Sequence, residues 1–167
     1  DLSITVPQEG IVTLDLAWLF LTSNDGTTSS VAGTTTQTVD EPVTGFNTEI
    51  MVGSTAQTIV QSATVKIANN LDSNAFVIGN RQRKDIPVGQ RAVSGTLTCF
   101  FEDLALYALF AAETTFAVKV SFIFNGNYTE ISMPECKFTG GTPTPQIAGN
   151  GTVTATFNFD AFKDAGA

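Results

Sequence analysis

Apolar and polar residues alternate with a period of two along most of the chain, the pattern of strands with one buried face. The clearest run is 115–124, where Phe116, Val118, Val120, Phe122 and Phe124 share one face and Thr115, Lys119 and Ser121 take the other. Val153, Ala155, Phe157 and Phe159 repeat the pattern against Thr152, Thr154, Thr156 and Asn158. Val93, Leu97, Cys99 and Phe101 do so against Ser94, Thr96 and Thr98. These polar faces are Thr and Ser rather than Lys and Glu, and Thr suits a pleated, half-buried surface. Less regular alternation predicts further strands at 2–6, 11–21, 43–52, 58–68, 76–79 and 128–133.

The exception is 103–113, where Leu104, Leu106, Tyr107, Leu109 and Phe110 form an apolar stripe too broad for a surface helix. The stretch predicts one short helix packed on a sheet. Asp103 is placed to cap it by accepting a backbone N–H bond, with Glu102 beside the positive end of the dipole. Residues 23–38, rich in Ser, Thr and Gly, and 140–146, with Pro143 and Pro145, predict loops. A third loop, 79–91, gathers Arg81, Arg83 and Lys84 ahead of Pro87 and ends at Arg91. A basic loop on an acidic chain suggests a patch that docks onto another copy. The plainer reading is a solvated connection, since exposed charge pairs contribute only ~0–1 kcal/mol each.

Composition narrows the function. The 167 residues predict one domain over 1–167, and 43% hydrophobic against 14% charged residues excludes a disordered chain. A formal charge of −8 disfavours tight binding of a phosphate backbone. Without a single His the chain has no Ser-His or Cys-His pair, no imidazole metal ligand and no base that titrates near neutrality. Cys99 and Cys136 predict two buried thiols, with one disulfide as the alternative, and not a zinc site.

Asp40 and Glu41 precede Pro42 and predict a turn rather than the spaced carboxylate pair of a glycosidase. One Trp and two Tyr are few for stacking sugar rings, and the thirteen Phe fall mostly on apolar faces. Neither Gly140-Gly141 nor Gly149-Asn150-Gly151 opens a helix, so no phosphate loop is expected. The longest apolar run, 11–21, is about half the ~20 residues of a membrane-spanning helix. No catalytic, cofactor or metal site is expected, no cofactor, and no membrane span.

From Gln61 to Phe110 the features keep a telling order. A strand ends in Asn69-Asn70-Leu71 and a Gly79-Asn80-Arg81 turn follows. Ile86-Pro87-Val88-Gly89-Gln90-Arg91 comes next, then Val93-Ser94-Gly95 opening a strand, then the short helix. This order resembles the core of the phage and prophage tail tube proteins over about a third of the chain, and more loosely to Phe159. The resemblance implies a mostly β fold of two packed antiparallel sheets, a sandwich or barrel, with one helix at the flank near 103–113. It also implies a structural, non-enzymatic subunit that forms six-fold rings stacked into a tube in the virion tail, assembled in the bacterial cytoplasm. Its partners would be itself and other tail proteins, with DNA as transient cargo. The Thr and Ser faces are then candidate lumen walls, and Arg81, Arg83, Lys84 and Arg91 the candidate interface. Members of the family are often longer at the N-terminus, so a segment ahead of Asp1 is expected to be missing.

Two other readings stay open. A distal tail, neck or tail-terminator protein would stop at one ring, whereas a secreted β-sandwich adhesin or carbohydrate-binding module would be a monomer with a Cys99–Cys136 disulfide.

Overall fold

A computed structural model describes residues 1–19, 42–80, 84–102, 104–124, 126–140, 143, 145–147 and 152–162. In chain order the elements are β1 (Leu2–Val6), β2 (Thr13–Leu16), a 3₁₀ turn (Gly45–Asn47), β3 (Thr48–Val52), β4 (Thr55–Ala56) and β5 (Val60–Ala68). There follow β6 (Ala92–Phe100), α1 (Ala105–Ala111), β7 (Phe116–Phe124), β8 (Asn127–Thr139), β9 (Gln146–Ile147) and β10 (Val153–Ala161). The described residues are mostly β with one short helix, as the alternation predicts.

All the strands belong to one antiparallel sheet in the order β2-β1-β5-β6-β10-β8-β7-β3-β4, with β9 beside β10. Hydrogen bonding among the described strands is therefore continuous, one sheet where two packed sheets, a sandwich or barrel, were expected. The link is β8, whose first part pairs with β7 and whose last residues, Cys136 to Thr139, pair with Asn158 to Ala161 of β10. Pro134 sits at the changeover. Between the pairs Val118↔Met133 and Phe116↔Cys136 one residue of β7 faces two of β8, a bulge where the missing proline N–H costs no ladder bond.

The sheet curls so that strands far apart in its order share one core. Ile4 and Val6 of β1, Ile50 and Val52 of β3, and Val118 and Val120 of β7 fall in the same buried cluster as Leu97, Cys99, Phe157 and Phe159. Backbone bonds tie the two sides: Val12 donates to Val43 at 2.9 Å and Gly45 to Gly10 at 3.2 Å. A run of three rings crosses the interior, Phe116 to Phe138 at 4.4 Å between centroids and Phe138 to Phe157 at 5.1 Å. Each tilted pair contributes ~0.5–1.5 kcal/mol beyond its burial.

The helix is shorter than the apolar stripe predicts. Only Leu106 is fully buried, Leu109 and Phe110 pack against the core, and Leu104 is exposed. Leu104 occupies the N-cap position without a side-chain bond, and Asp103 lies outside the described residues. Of the strand predicted at 11–21, the described residues 11–19 form β2 and an isolated bridge at Ile11, and the loop predicted at 140–146 contributes Gln146 to β9. The loop predicted at 23–38 lies outside the described residues.

Candidate assembly surfaces

The connection between β5 and β6 is an arm. Past the last ladder pair, Ala68↔Ala92, backbone bonds continue from Gly89 to Asn70, from Asp72 to Pro87 and from Lys84 to Ala75, each 3.1 Å. These three pairs share one antiparallel register, offset by one residue from that of the ladder, so the arm carries the β5–β6 hairpin onward past a register shift. Asn80 donating to Val77 at 3.2 Å turns the chain near the tip. The base is locked by polar side chains. Asn70, in the left-handed region at φ 48°, donates from Nδ2 to the Gln90 carbonyl at 2.7 Å, and Arg91 Nε donates to Asn69 Oδ1 at 3.1 Å. Gly89 is required there, because a β-carbon would run into the Asn70 carbonyl.

Of the four predicted interface cations, Arg91 thus secures the base of the arm and Lys84 stands exposed on its returning limb. Arg81 and Arg83 lie outside the described residues. Charge alone missed the apolar part of the same arm. Val77 and Val88 are exposed and Ile78 fully so, at 107%. The Val-Ile pair next to Gly79 falls in the stretch 76–79 predicted as a strand, which the structure shows as an isolated bridge at Phe76 followed by a turn.

A second surface is the polar face of the half-sheet from β2 to β8. Strand register places Thr13, Thr5, Thr64, Thr96, Asn158 and Thr139 side by side in one row across six strands. The next row is Asp15, Ser3, Lys66, Ser94, Asp160 and Lys137, in which negative and positive residues alternate and cancel. A third holds Ser62, Thr98 and Thr156, with the two Thr hydroxyls 3.3 Å apart. Their strand neighbours Ala63, Val65, Leu97, Ala155 and Phe157 point into the core, so period-two alternation alone makes this face.

The edge of this half-sheet is β2, every residue of which is exposed. Leu14 and Leu16 lie opposite Ile4 and Leu2, and Trp18 follows at 72% exposure. Just ahead of β2, Val12 donates to Val43, and an exposed edge strand can offer its backbone N–H and C=O groups to another strand. On the other half of the sheet Lys119 Nζ lies 3.3 Å from Glu130 Oε1, and the Tyr128 hydroxyl donates to Glu130 Oε2. Those contacts, the tyrosine bond first, hold the Glu130 carboxyl below its usual range.

Cys99 and Cys136 are both buried and free. Cys99 pairs with Ala155 and Cys136 with Ala161, on opposite sides of β10 and six residues apart along it, roughly 20 Å. A disulfide needs Cα atoms within about 7 Å. Burial pushes the Cys99 thiol up to about 12 and the Cys136 thiol to about 11. Among the described residues no group of three or more His, Cys, Asp or Glu could hold a metal ion, and no helix is long and apolar enough to cross a membrane.

The described residues form a curled antiparallel sheet with an exposed edge strand and a projecting arm. A family model described as phage tail tube protein matches residues 1–161, and the chain belongs to that family. It is a structural protein of the phage tail, which assembles with itself and with other tail proteins. No curated protein matches the chain.

Proposed function

We propose that this chain, acting as one tail-tube domain, closes into rings of six that stack into a tube through which DNA passes. The observation that carries this reading is the uncharged face of Thr13, Thr5, Thr64, Thr96, Asn158 and Thr139, shared across six strands in one row. Turned inward, it gives a wetted wall of small hydroxyls with little electrostatic grip on a polyanion. The neighbouring row cancels its own charge, so the −8 of the chain is concentrated elsewhere. The exposed β2 edge supports lateral closure, one subunit's sheet continuing into the next, and the arm carrying Lys84 supports contact between layers.

Electron microscopy at rising protein concentration tests the reading. Hollow tubes are expected. Isolated rings at every concentration would instead favour a distal tail or terminator role, and persistent monomers would overturn the assembly altogether.

A further inference from the structure

One row of the polar face carries charge, and the signs come in a regular order. Across β2, β1, β5, β6, β10 and β8 it reads Asp15, Ser3, Lys66, Ser94, Asp160 and Lys137, whereas the rows on either side hold only Thr, Ser and Asn. With strands ~4.8 Å apart, Lys66 stands roughly 10 Å from Asp15 on one side and from Asp160 on the other, with a serine in each gap. Lys137 lies directly opposite Asp160. Asp15, Ser3 and Lys66 line one shallow recess together with Asp1, whose carboxylate already accepts the Asn69 N–H at 2.9 Å. Asp15, Lys66 and Lys137 are exposed, and Asp160 is partly so.

The row differs from the closed ion pair on the other half of the sheet, where Lys119 reaches Glu130 at 3.3 Å. An ammonium set between serines keeps its charge available. Double-stranded DNA carries one charge per ~1.7 Å of axis and so presents a phosphate to both lysines in any register. Taken alone, Lys66 and Lys137 would hold a polyanion. A phosphate that reaches Lys66, however, also comes within roughly 10 Å of Asp15 and Asp160, about the Debye length at ~0.1 M salt, so repulsion offsets attraction where they meet. We infer that Asp15 and Asp160 mask Lys66 and Lys137, and that these two carboxylates are what keeps the face from retaining DNA. The inference deepens the tube reading and rests on it, because the face meets DNA only where it lines the lumen.

The test is binding of a short fluorescent DNA duplex to the dispersed chain, read by anisotropy in low salt. Wild type should not bind. Asp15→Asn with Asp160→Asn is isosteric and should keep the fold and the melting temperature. This variant should bind, with affinity falling roughly 60-fold per decade of salt, the slope of about −1.8 that two phosphate contacts give. Adding Lys66→Gln with Lys137→Gln should abolish the binding. Glu49→Gln with Glu102→Gln, at exposed acids elsewhere, removes the same two charges, from −8 to −6, and should leave DNA unbound. No binding by the Asn variant, binding that survives the lysine changes, or equal binding by the Glu49 and Glu102 control would each overturn the masking. Electron microscopy of the same proteins keeps the two readings apart. Wild type and Asn variant should both form tubes, so loss of the masking alone leaves the tube standing, whereas a wild type that never assembles would overturn the reading beneath it.

Discussion

Gly95 of β6 faces Phe159 of β10 across a strand pair, and the phenyl ring fills the space that a side chain at 95 would need. A β-carbon there would lie 2.7 Å from Cε1 of the ring and 2.5 Å from the Thr64 carbonyl oxygen. Glycine is thus demanded by packing from two sides rather than by an unusual φ. Gly95→Ala is expected to destabilise by ~1–3 kcal/mol, the usual cost of overpacking, seen as a lower urea midpoint at unchanged slope. Adding Phe159→Leu should recover only part of the loss, because the carbonyl stays in place. A double-mutant cycle in which the two changes simply add would refute the coupling.

The strand core was legible in the sequence because alternation reports burial directly. The ends of β1 coincide with the predicted stretch 2–6, and β5, β6, β7 and β10 differ from their predicted stretches by two residues or fewer. The continuity of the sheet was not legible. It depends on β8 changing partners at Pro134, a pairing between segments distant in sequence that no local pattern encodes. The two-residue strands β4 and β9 are too short to show a period, and the loop at 79–91 was read by its charge, whereas nothing local told that the adjoining Val77 and Ile78 are left exposed.

The two thiols predict a pH dependence with a definite sign. Folded, Cys99 and Cys136 hold their protons up to about 12 and about 11, whereas an unfolded thiol loses its proton near ~8.5. The folded state therefore binds more protons between these values. The stability they contribute is intact below ~8.5 and is lost as pH climbs toward 11 to 12. Urea midpoints measured from pH 8 upward should fall, and Cys99→Ala should flatten that slope. A thiol reagent should leave both cysteines untouched in the native protein and titrate two in denaturant.

Glu130 should titrate below an ordinary glutamate, since the Tyr128 hydroxyl and then Lys119 favour its charged form. The stabilising contribution is present above the unfolded value and disappears as pH falls through the lowered folded one. Carboxyl-carbon NMR is the direct readout. Tyr128→Phe should move the Glu130 midpoint upward, and so should Lys119→Met, because the tyrosine hydrogen bond is the largest single cause and Lys119 adds both a hydrogen bond and its charge. No shift in Tyr128→Phe would mean that Lys119 alone sets this carboxylate.

The last prediction concerns β2. Leu14 and Leu16 are 56% and 49% exposed, so replacing either by Lys removes little buried surface and leaves Ile4 and Leu2 beneath them in place. A lysine on an open edge is also a common device by which natural sheets prevent a further strand from adding. Leu14→Lys with Leu16→Lys is therefore expected to keep the monomer's melting temperature within a few degrees, on the order of 1 kcal/mol, while abolishing rings. The contrasting variant is Ile78→Asp, at an exposed position of the arm. If β2 closes the ring and the arm stacks the layers, the edge variant should lose rings and tubes together, whereas the arm variant should lose tubes and retain rings. Sedimentation of both at matched concentration decides it, and identical behaviour of the two variants would mean that edge and arm serve a single contact.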